Sequence, residues 1–273
     1  MLHAGANKII VGGRNPKLQQ QFVEKLQEEG IDTDQKIDAS HTIDLGDLES
    51  VKEFAMYVRS TYPKIDVLIA NAGIMNTPPG VTKNGFEQQM GVNVIGHFLL
   101  CKILVEQTKR QVWLASYAHS IHGASRIDID YIKSFSMDNT ADYDSWKAYQ
   151  QSKLGNILIA REFQKRYAHL EAVALHPGSI ATNLTRSTGL VSVVKLSWRM
   201  LPYFWKDMKQ IGFKGLEAGA ATTVTCATLP SDQLVPGGYY QNCEEGGEAE
   251  NAKVEEDWKA LFDFCNTATK DFQ

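Results

Sequence analysis

The sequence has few of the features that assign a chain to a specialised class of protein. Its 273 residues include only four cysteines, at positions 101, 226, 243 and 265, and none of them forms a Cys-x-x-Cys pair. These spacings match no zinc template and are typical of reduced thiols in a cytoplasmic protein. The pattern therefore argues against a disulfide framework and predicts no metal site.

Long apolar runs and an excess of positive charge are also lacking. No run of 18 apolar residues occurs and the first residues show no signal-peptide core, so we expect a soluble, cytoplasmic protein. The net charge of −4 gives no general attraction to phosphate backbones, which argues against nucleic acid as a partner. With 43% apolar and 22% charged residues, the composition suits a packed globular domain.

Strand-like and helix-like segments alternate along the chain. Apolar runs predict strands at residues 8–12, 41–45, 65–70, 112–116, 172–175 and 239–240. Helical spacing of apolar residues predicts helices at residues 16–29, 48–62, 86–106, 145–167, 217–229 and 257–268. This alternation predicts an α/β fold with a doubly wound, Rossmann-like parallel sheet, formed by residues 1–273 as one domain.

Tyr149 and Lys153 are the first candidates for chemistry. They lie four residues apart in a predicted helix, so their side chains share one face. A nearby cation favours the phenolate and lowers the pKa of tyrosine, which suits a general acid/base. The same spacing is also common on solvated helix faces, and the pair alone is weak evidence.

Other polar and small residues stand where predicted strands end. Ser116 lies at the carboxyl edge of the sheet, where its hydroxyl can donate to a carbonyl or alkoxide oxygen; the alternative is a strand-end cap. Asn93 is a polar residue in an apolar helix, where it either packs or takes part in the chemistry. Asn71-Ala72-Gly73 and Pro177-Gly178 end two further strands with residues that allow a flat ring to approach the backbone.

In this order, these residues resemble the classical short-chain dehydrogenases/reductases, and the resemblance covers nearly the whole chain. Finer features resemble the branch with retinol dehydrogenases and their fungal relatives: Gly12-Gly13-Arg14-Asn15, Asp44-Leu45, Ser116-Tyr117-Ala118-His119 and Tyr149-Gln150-Gln151-Ser152-Lys153-Leu154-Gly155-Asn156. The resemblance implies that Tyr149 is the acid/base, that Lys153 lowers its pKa and holds the ribose, that Ser116 orients the substrate oxygen, and that Asn93 holds a water in a proton relay.

The residues after the first predicted strand favour NADP(H) as the cofactor. An NAD site places a carboxylate there for the ribose hydroxyl, whereas this chain has Gly12-Gly13-Arg14, and arginine suits a 2′-phosphate. A plain solvated Arg14 is the alternative. By resemblance, Asp44 would contact the adenine, Asn71 would lie near the adenosine, and Thr182 near the nicotinamide amide or diphosphate.

One part of the family pattern is missing. Relatives begin with a strand, a turn of the type Thr-Gly-x-x-x-Gly-x-Gly and a helix, whereas this chain starts at what resembles the end of that helix. The turn lets the backbone reach the pyrophosphate. Three interpretations stay open: a truncated version of a complete reductase, a degenerate relative that acts as a binding or interaction protein, and a chain that binds the nucleotide in a compensated way.

The substrate expectation depends on residues 185–213, which are rich in Trp, Phe, Leu and Met. We interpret this segment as an apolar lid over a substrate pocket, or alternatively as a core-packing helix pair. A lid predicts a small apolar carbonyl or alcohol substrate, lipid-like, aromatic or polyketide-like. Membrane association is disfavoured because the usual anchors are absent, and homo-oligomers are common in the family.

Overall fold

The computed structural model describes residues 1–2, 5–120, 125–138, 140–178 and 214–273, in which strands and helices alternate. The strands are β1 (Ile9–Ile10), β2 (Ile37–Asp38), β3 (Ile65–Ala70), β4 (Thr108–Leu114), β5 (Glu171–His176), β6 (Tyr239–Gln241) and β7 (Glu244–Glu245). The helices are α1 (Pro16–Glu28), α2 (Thr33–Lys36), α3 (Leu48–Thr61), α4 (Gln88–Met90), α5 (Gly96–Ile103), α6 (Ile129–Ser134), α7 (Ser145–Arg166), α8 (Leu216–Thr228) and α9 (Glu255–Ala268).

The strands form a parallel α/β architecture, as predicted, but they are divided between two sheets. Strands β3, β4, β5 and β6 lie side by side and parallel, and β7 adds an antiparallel edge. Strand β1 pairs in parallel with β2 and, within the described ranges, with no other strand. No strand among the described residues pairs with the free edge of β1 or of β3.

Helices cover both faces of the larger sheet because successive side chains of its strands point to opposite faces. Val112 and Leu114 of β4 pack on the face that includes Cys226 of α8. Trp113 points to the other face, where its ring stacks on Phe163 of α7 with the centroids 5.9 Å apart. The core therefore has two apolar layers, one on each face of the sheet. The larger layer packs α7 against β4 and β5.

Two local predictions are corrected. The second strand lies at Ile37–Asp38 and not at residues 41–45, because Ile37 is the partner of Ile9 in the ladder. Asp38 then accepts hydrogen bonds from Ser40, Tyr57 and Tyr62, which bind the strand end to α3 and the chain that follows it. The predicted helix at 86–106 is interrupted, since a π-helical turn at Gly91–Ile95 separates α4 from α5.

Some expectations fall on residues that the structure does not describe, namely the lid at 185–213 and Thr182. The four cysteines are free thiols, of which only Cys243 is exposed. Within the described ranges, no group of three or more His, Cys, Asp or Glu side chains could hold a metal ion. No helix in the same ranges has the length and apolar character needed to cross a membrane.

Candidate active site

Ser116 stands two residues beyond the end of β4, at the carboxyl edge of the larger sheet. A single turn of 3-10 helix, Tyr117–Ser120, begins directly after it. The Ser116 hydroxyl accepts a hydrogen bond from the main-chain N–H of Ala118 at 3.2 Å. Serine hydroxyls commonly stabilise such turns, and this bond orients the Ser116 side chain. The hydroxyl hydrogen remains available for a second partner.

Tyr149 and Lys153 lie one turn apart in α7, as predicted from their spacing. The helix begins after Asp144, whose carboxylate accepts hydrogen bonds from the N–H groups of Trp146 and Lys147. Tyr149 and Lys153 are each only 5% exposed. The Tyr149 side chain is hydrogen-bonded to that of Ser116. The ends of β4 and α7 thus bring two hydroxyls and an ammonium group together.

Burial controls the titration of this pair. It raises the pKa of Tyr149 to about 12, and the hydrogen bond with Ser116 opposes that rise only in part. Burial also lowers the pKa of Lys153 to about 8. In the chain without nucleotide, burial therefore outweighs any lowering of the Tyr149 pKa by Lys153, and the predicted role of Lys153 stays a prediction. The reason that burial prevails is geometric: the Lys153 ammonium donates to the Leu114 carbonyl at 2.8 Å and lies 5.8 Å from the centre of the Tyr149 ring.

Asn93 lies in the π-helical turn and is fully buried. Its amide nitrogen donates to the carbonyl of Ile74 and to the hydroxyl of Ser152, each at 2.9 Å. Its amide oxygen accepts from the N–H of Ile74 at 2.9 Å. The side chain thus joins the segment after β3 to α7, one residue before Lys153. The predicted role in holding a water stays a prediction.

Gly73 shows why the segment after β3 contains a small residue. A Cβ atom on Gly73 would lie 3.2 Å from the Asn93 side-chain oxygen and 3.5 Å from the Lys153 ammonium nitrogen. The backbone therefore runs closely past both polar groups. At the end of β5, Gly178 has a φ of 92°, in the left-handed region that glycine adopts without strain.

Three other residues predicted to bind the nucleotide, Arg14, Asp44 and Asn71, are not part of this hydrogen-bonded cluster. Arg14 follows β1, is exposed, and forms no ion pair with a described residue. Asp44 accepts a hydrogen bond from the N–H of Gly46 at 2.9 Å and is half-buried. Asn71 is exposed directly after β3. Across the described segments, no hydrogen bond joins these three side chains to Ser116, Tyr149 or Lys153.

Two further residues, to which the sequence pattern assigns no role of their own, belong to this cluster of buried polar groups. Ser152 is the partner of Asn93, and Asn156 donates to the Leu114 carbonyl at 2.8 Å, beside Lys153. Both are buried in α7, next to the buried Gln150 and Gln151. A run of polar residues on the buried side of a helix was the available signal, because buried polar groups need specific partners.

Comparisons with known proteins match the chain to one family. Residues 1–191 match the family model described as short chain dehydrogenase. The chain is 35% identical to retinol dehydrogenase 13 of Homo sapiens over 227 residues, which are 81% of this chain and 65% of that protein. It is 31% identical to the short-chain dehydrogenase/reductase prx1 of Penicillium roqueforti over 251 residues, 90% of this chain and 69% of the relative.

A solved structure extends the comparison to three dimensions. The crystal structure of an uncharacterized protein from Mycobacterium Paratuberculosis superposes with a TM-score of 0.70 at 27% identity. The match covers 96% of this chain and 84% of that chain. Against human retinol dehydrogenase 13, however, the chain spans about two thirds of the relative's length.

Proposed function

The chain belongs to the short-chain dehydrogenase family, and from that membership we propose that it is an NADP(H)-dependent oxidoreductase that interconverts a carbonyl and an alcohol. The observation that carries the proposal is the meeting of Ser116, Tyr149 and Lys153 where β4 ends beside α7. Hydroxyl, phenol and ammonium groups in one buried cluster are the parts needed to hold and protonate a substrate oxygen.

The residues present suit a nicotinamide nucleotide at two points. An ammonium group has three donors, and the Leu114 carbonyl takes only one of those on Lys153, so two are left for ribose hydroxyls. The exposed guanidinium of Arg14 has no ion-pair partner among the described residues and suits a 2′-phosphate. Asp44 and Asn71 would lie along the adenosine. Bound NADP(H) supplies or accepts the hydride.

Tyr149 and Ser116 would handle the substrate oxygen. Because burial raises the pKa of Tyr149 to about 12, its hydroxyl keeps the proton at neutral pH and can donate it as a carbonyl is reduced. The Ser116 hydroxyl is oriented by the Ala118 N–H and can donate to the same oxygen. In this mechanism Asn93 holds the segment after β3 close to Lys153, and a water bound near it would carry protons onward.

We propose a small apolar alcohol or aldehyde as the substrate. Retinol dehydrogenase 13, which is 35% identical to this chain, carries an apolar alcohol in its name. The apolar composition of residues 185–213 is consistent with such a substrate. Long-chain and aromatic aldehydes, retinal among them, are therefore the first compounds to assay.

The first experiment titrates the purified chain with NADPH and with NADH while its melting temperature is followed. A ligand that binds only the folded state raises the melting temperature in a saturable way. We expect NADPH to stabilise the chain more than NADH. If neither nucleotide stabilises it, the oxidoreductase assignment fails for this chain, and the alternative of a non-catalytic binding protein takes its place.

The second experiment follows NADPH consumption with an apolar aldehyde. Tyr149→Phe removes the proton donor and should lower kcat by about 100-fold or more. Tyr131→Phe is the matched control, because Tyr131 lies in α6 and its buried hydroxyl forms no hydrogen bond with a described residue. Full activity in Tyr149→Phe would show that another group donates the proton.

A further inference from the structure

His119 is a fully buried residue that the proposed reaction does not use, although it closes the motif Ser116-Tyr117-Ala118-His119. Both nitrogens of its ring have main-chain partners. Nδ1 lies 2.6 Å from the carbonyl oxygen of Ser116, and Nε2 lies 3.1 Å from the main-chain nitrogen of Ala249. The ring therefore connects the turn after β4 to the loop between β7 and α9.

These partners determine the tautomer of His119. The N–H of Ala249 can only donate, so Nε2 must carry a lone pair, and the hydrogen must be on Nδ1, where it donates to the Ser116 carbonyl. Burial lowers the pKa of His119, in agreement with a neutral ring. The charged groups that act on the pKa of His119 are Glu248 and Arg161, which form an ion pair with each other at 2.8 Å.

The Ser116 backbone is held from two directions. Its carbonyl oxygen accepts the ring N–H of His119 at 2.6 Å and also the main-chain N–H of His119 at 3.1 Å. His119 thus holds the carbonyl of Ser116, while the Ala118 N–H holds the hydroxyl of the same serine. Loss of the ring bond would leave the Ser116 carbonyl with the main-chain bond alone and so loosen the turn that orients the Ser116 hydroxyl.

The other end of the connection is anchored to α7. Arg161 donates to the Ala252 carbonyl at 2.7 Å and pairs with Glu248, which holds the 248–252 loop against the helix. Asn251 donates to the carbonyl of His119 at 3.1 Å. The loop that fixes the His119 ring is therefore attached to the same helix that carries Tyr149.

We propose that His119 is a positioning residue for Ser116: as the neutral Nδ1–H tautomer set by the Ala249 amide, it holds the Ser116 turn in register with Tyr149 on α7. The consequence for the reaction rests on the proposed function, whereas the positioning itself does not. His119 would thereby affect the step in which the substrate oxygen is held, and leave nucleotide binding unchanged.

The test uses two substitutions that each keep one half of the ring's hydrogen bonding. His119→Asn places an amide donor near the position of Nδ1, and His119→Gln places an acceptor near that of Nε2. We expect His119→Asn to keep kcat within about threefold and His119→Gln to lower it about tenfold, with KM for NADPH unchanged in both. Adding His119→Gln to Ser116→Ala should lower kcat no further, because residues that act through one another are not additive.

A measurement without turnover separates this proposal from the proposed function. The Ala118 amide donates to the Ser116 hydroxyl, so its hydrogen exchange reports how well the turn is held. We expect exchange at Ala118 about tenfold faster in His119→Gln than in His119→Asn, whether or not the chain turns over substrate. Equal exchange in the two variants, or kcat losses that follow melting temperature alone, would overturn the positioning role.

Discussion

Lys153 donates a hydrogen bond to the main-chain oxygen of Leu114 across 2.8 Å, so a buried ammonium group is attached to the last residue of β4. Asn156 donates to the same oxygen at 2.8 Å. The Leu114 carbonyl would therefore keep a partner if the lysine were replaced. Lys153 has no carboxylate partner among the described residues, which makes its charge a cost to the fold and points to a functional reason for its presence.

Lys153→Met should stabilise the chain and abolish its activity. Burial lowers the pKa of Lys153 from 10.5 to about 8, which at about 1.4 kcal/mol per unit corresponds to about 3 kcal/mol at pH 7. We expect the free energy of unfolding, measured with denaturant, to rise by up to about that amount in the variant. Such a gain in stability with loss of function is typical of catalytic groups.

The pH dependence of this gain follows from the direction of the pKa shift. Between pH 8 and 10.5 the unfolded chain keeps a proton on Lys153 that the folded chain has lost, so the stability of the natural chain rises with pH. The advantage of Lys153→Met should therefore be complete below pH 8 and disappear by about pH 10.5. A difference that stayed constant over this range would show that the lysine is not buried as a cation.

The hydrogen bonds of the Asn93 side chain predict that two substitutions lower the free energy of unfolding by different amounts. Asn93→Ala leaves the N–H and the carbonyl of Ile74 without their partner, and we expect a loss of about 2–4 kcal/mol in the free energy of unfolding. Ser152→Ala removes one acceptor while Asn93 still donates to Ile74, so a loss of about 1 kcal/mol or less is expected. Denaturant titration of both variants checks the order, and equal losses would contradict it.

Local sequence signals were sufficient for the elements that carry the site. The helix predicted at 145–167 is observed at Ser145–Arg166, and the four-residue spacing placed Tyr149 and Lys153 on one turn. The strand predicted at 41–45 was wrong, because a two-residue strand is defined by its partner, and the partner of Ile9 is Ile37. Short strands depend on pairing more than on composition.

The contacts that set the chemistry could not be predicted from the sequence. The acceptor of Lys153 is 39 residues away at Leu114, and the donor to His119 is 130 residues away at Ala249. Which loops meet at the carboxyl edge depends on the tertiary fold. The direction of the Tyr149 pKa shift also depends on burial, and Tyr149 is 5% exposed only because α7 packs against the sheet.

Arg14 is expected to set the choice between NADPH and NADH. A charge-assisted bond to a 2′-phosphate contributes about 1.5–3 kcal/mol, so Arg14→Ser should weaken NADPH binding by about 10- to 100-fold and leave NADH binding nearly unchanged. Titration of the melting temperature with each nucleotide measures both effects. Lys17→Ser is the control, since Lys17 is also exposed and cationic but lies in the first turn of α1. Equal weakening by both substitutions would indicate a general effect of charge.

Gly73→Ala should act on the site more than on the fold. The added Cβ would lie 3.2 Å from the Asn93 side-chain oxygen and 3.5 Å from the Lys153 nitrogen, so it would occupy space beside the ammonium group. We expect kcat/KM to fall about tenfold while the free energy of unfolding falls by only about 1 kcal/mol, a typical overpacking cost. Gly215→Ala is the control, because a Cβ there meets no atom of a described residue within 4 Å and φ is −63°. If both variants lost activity in proportion to stability, the close approach of Gly73 to Lys153 would have no role in the reaction.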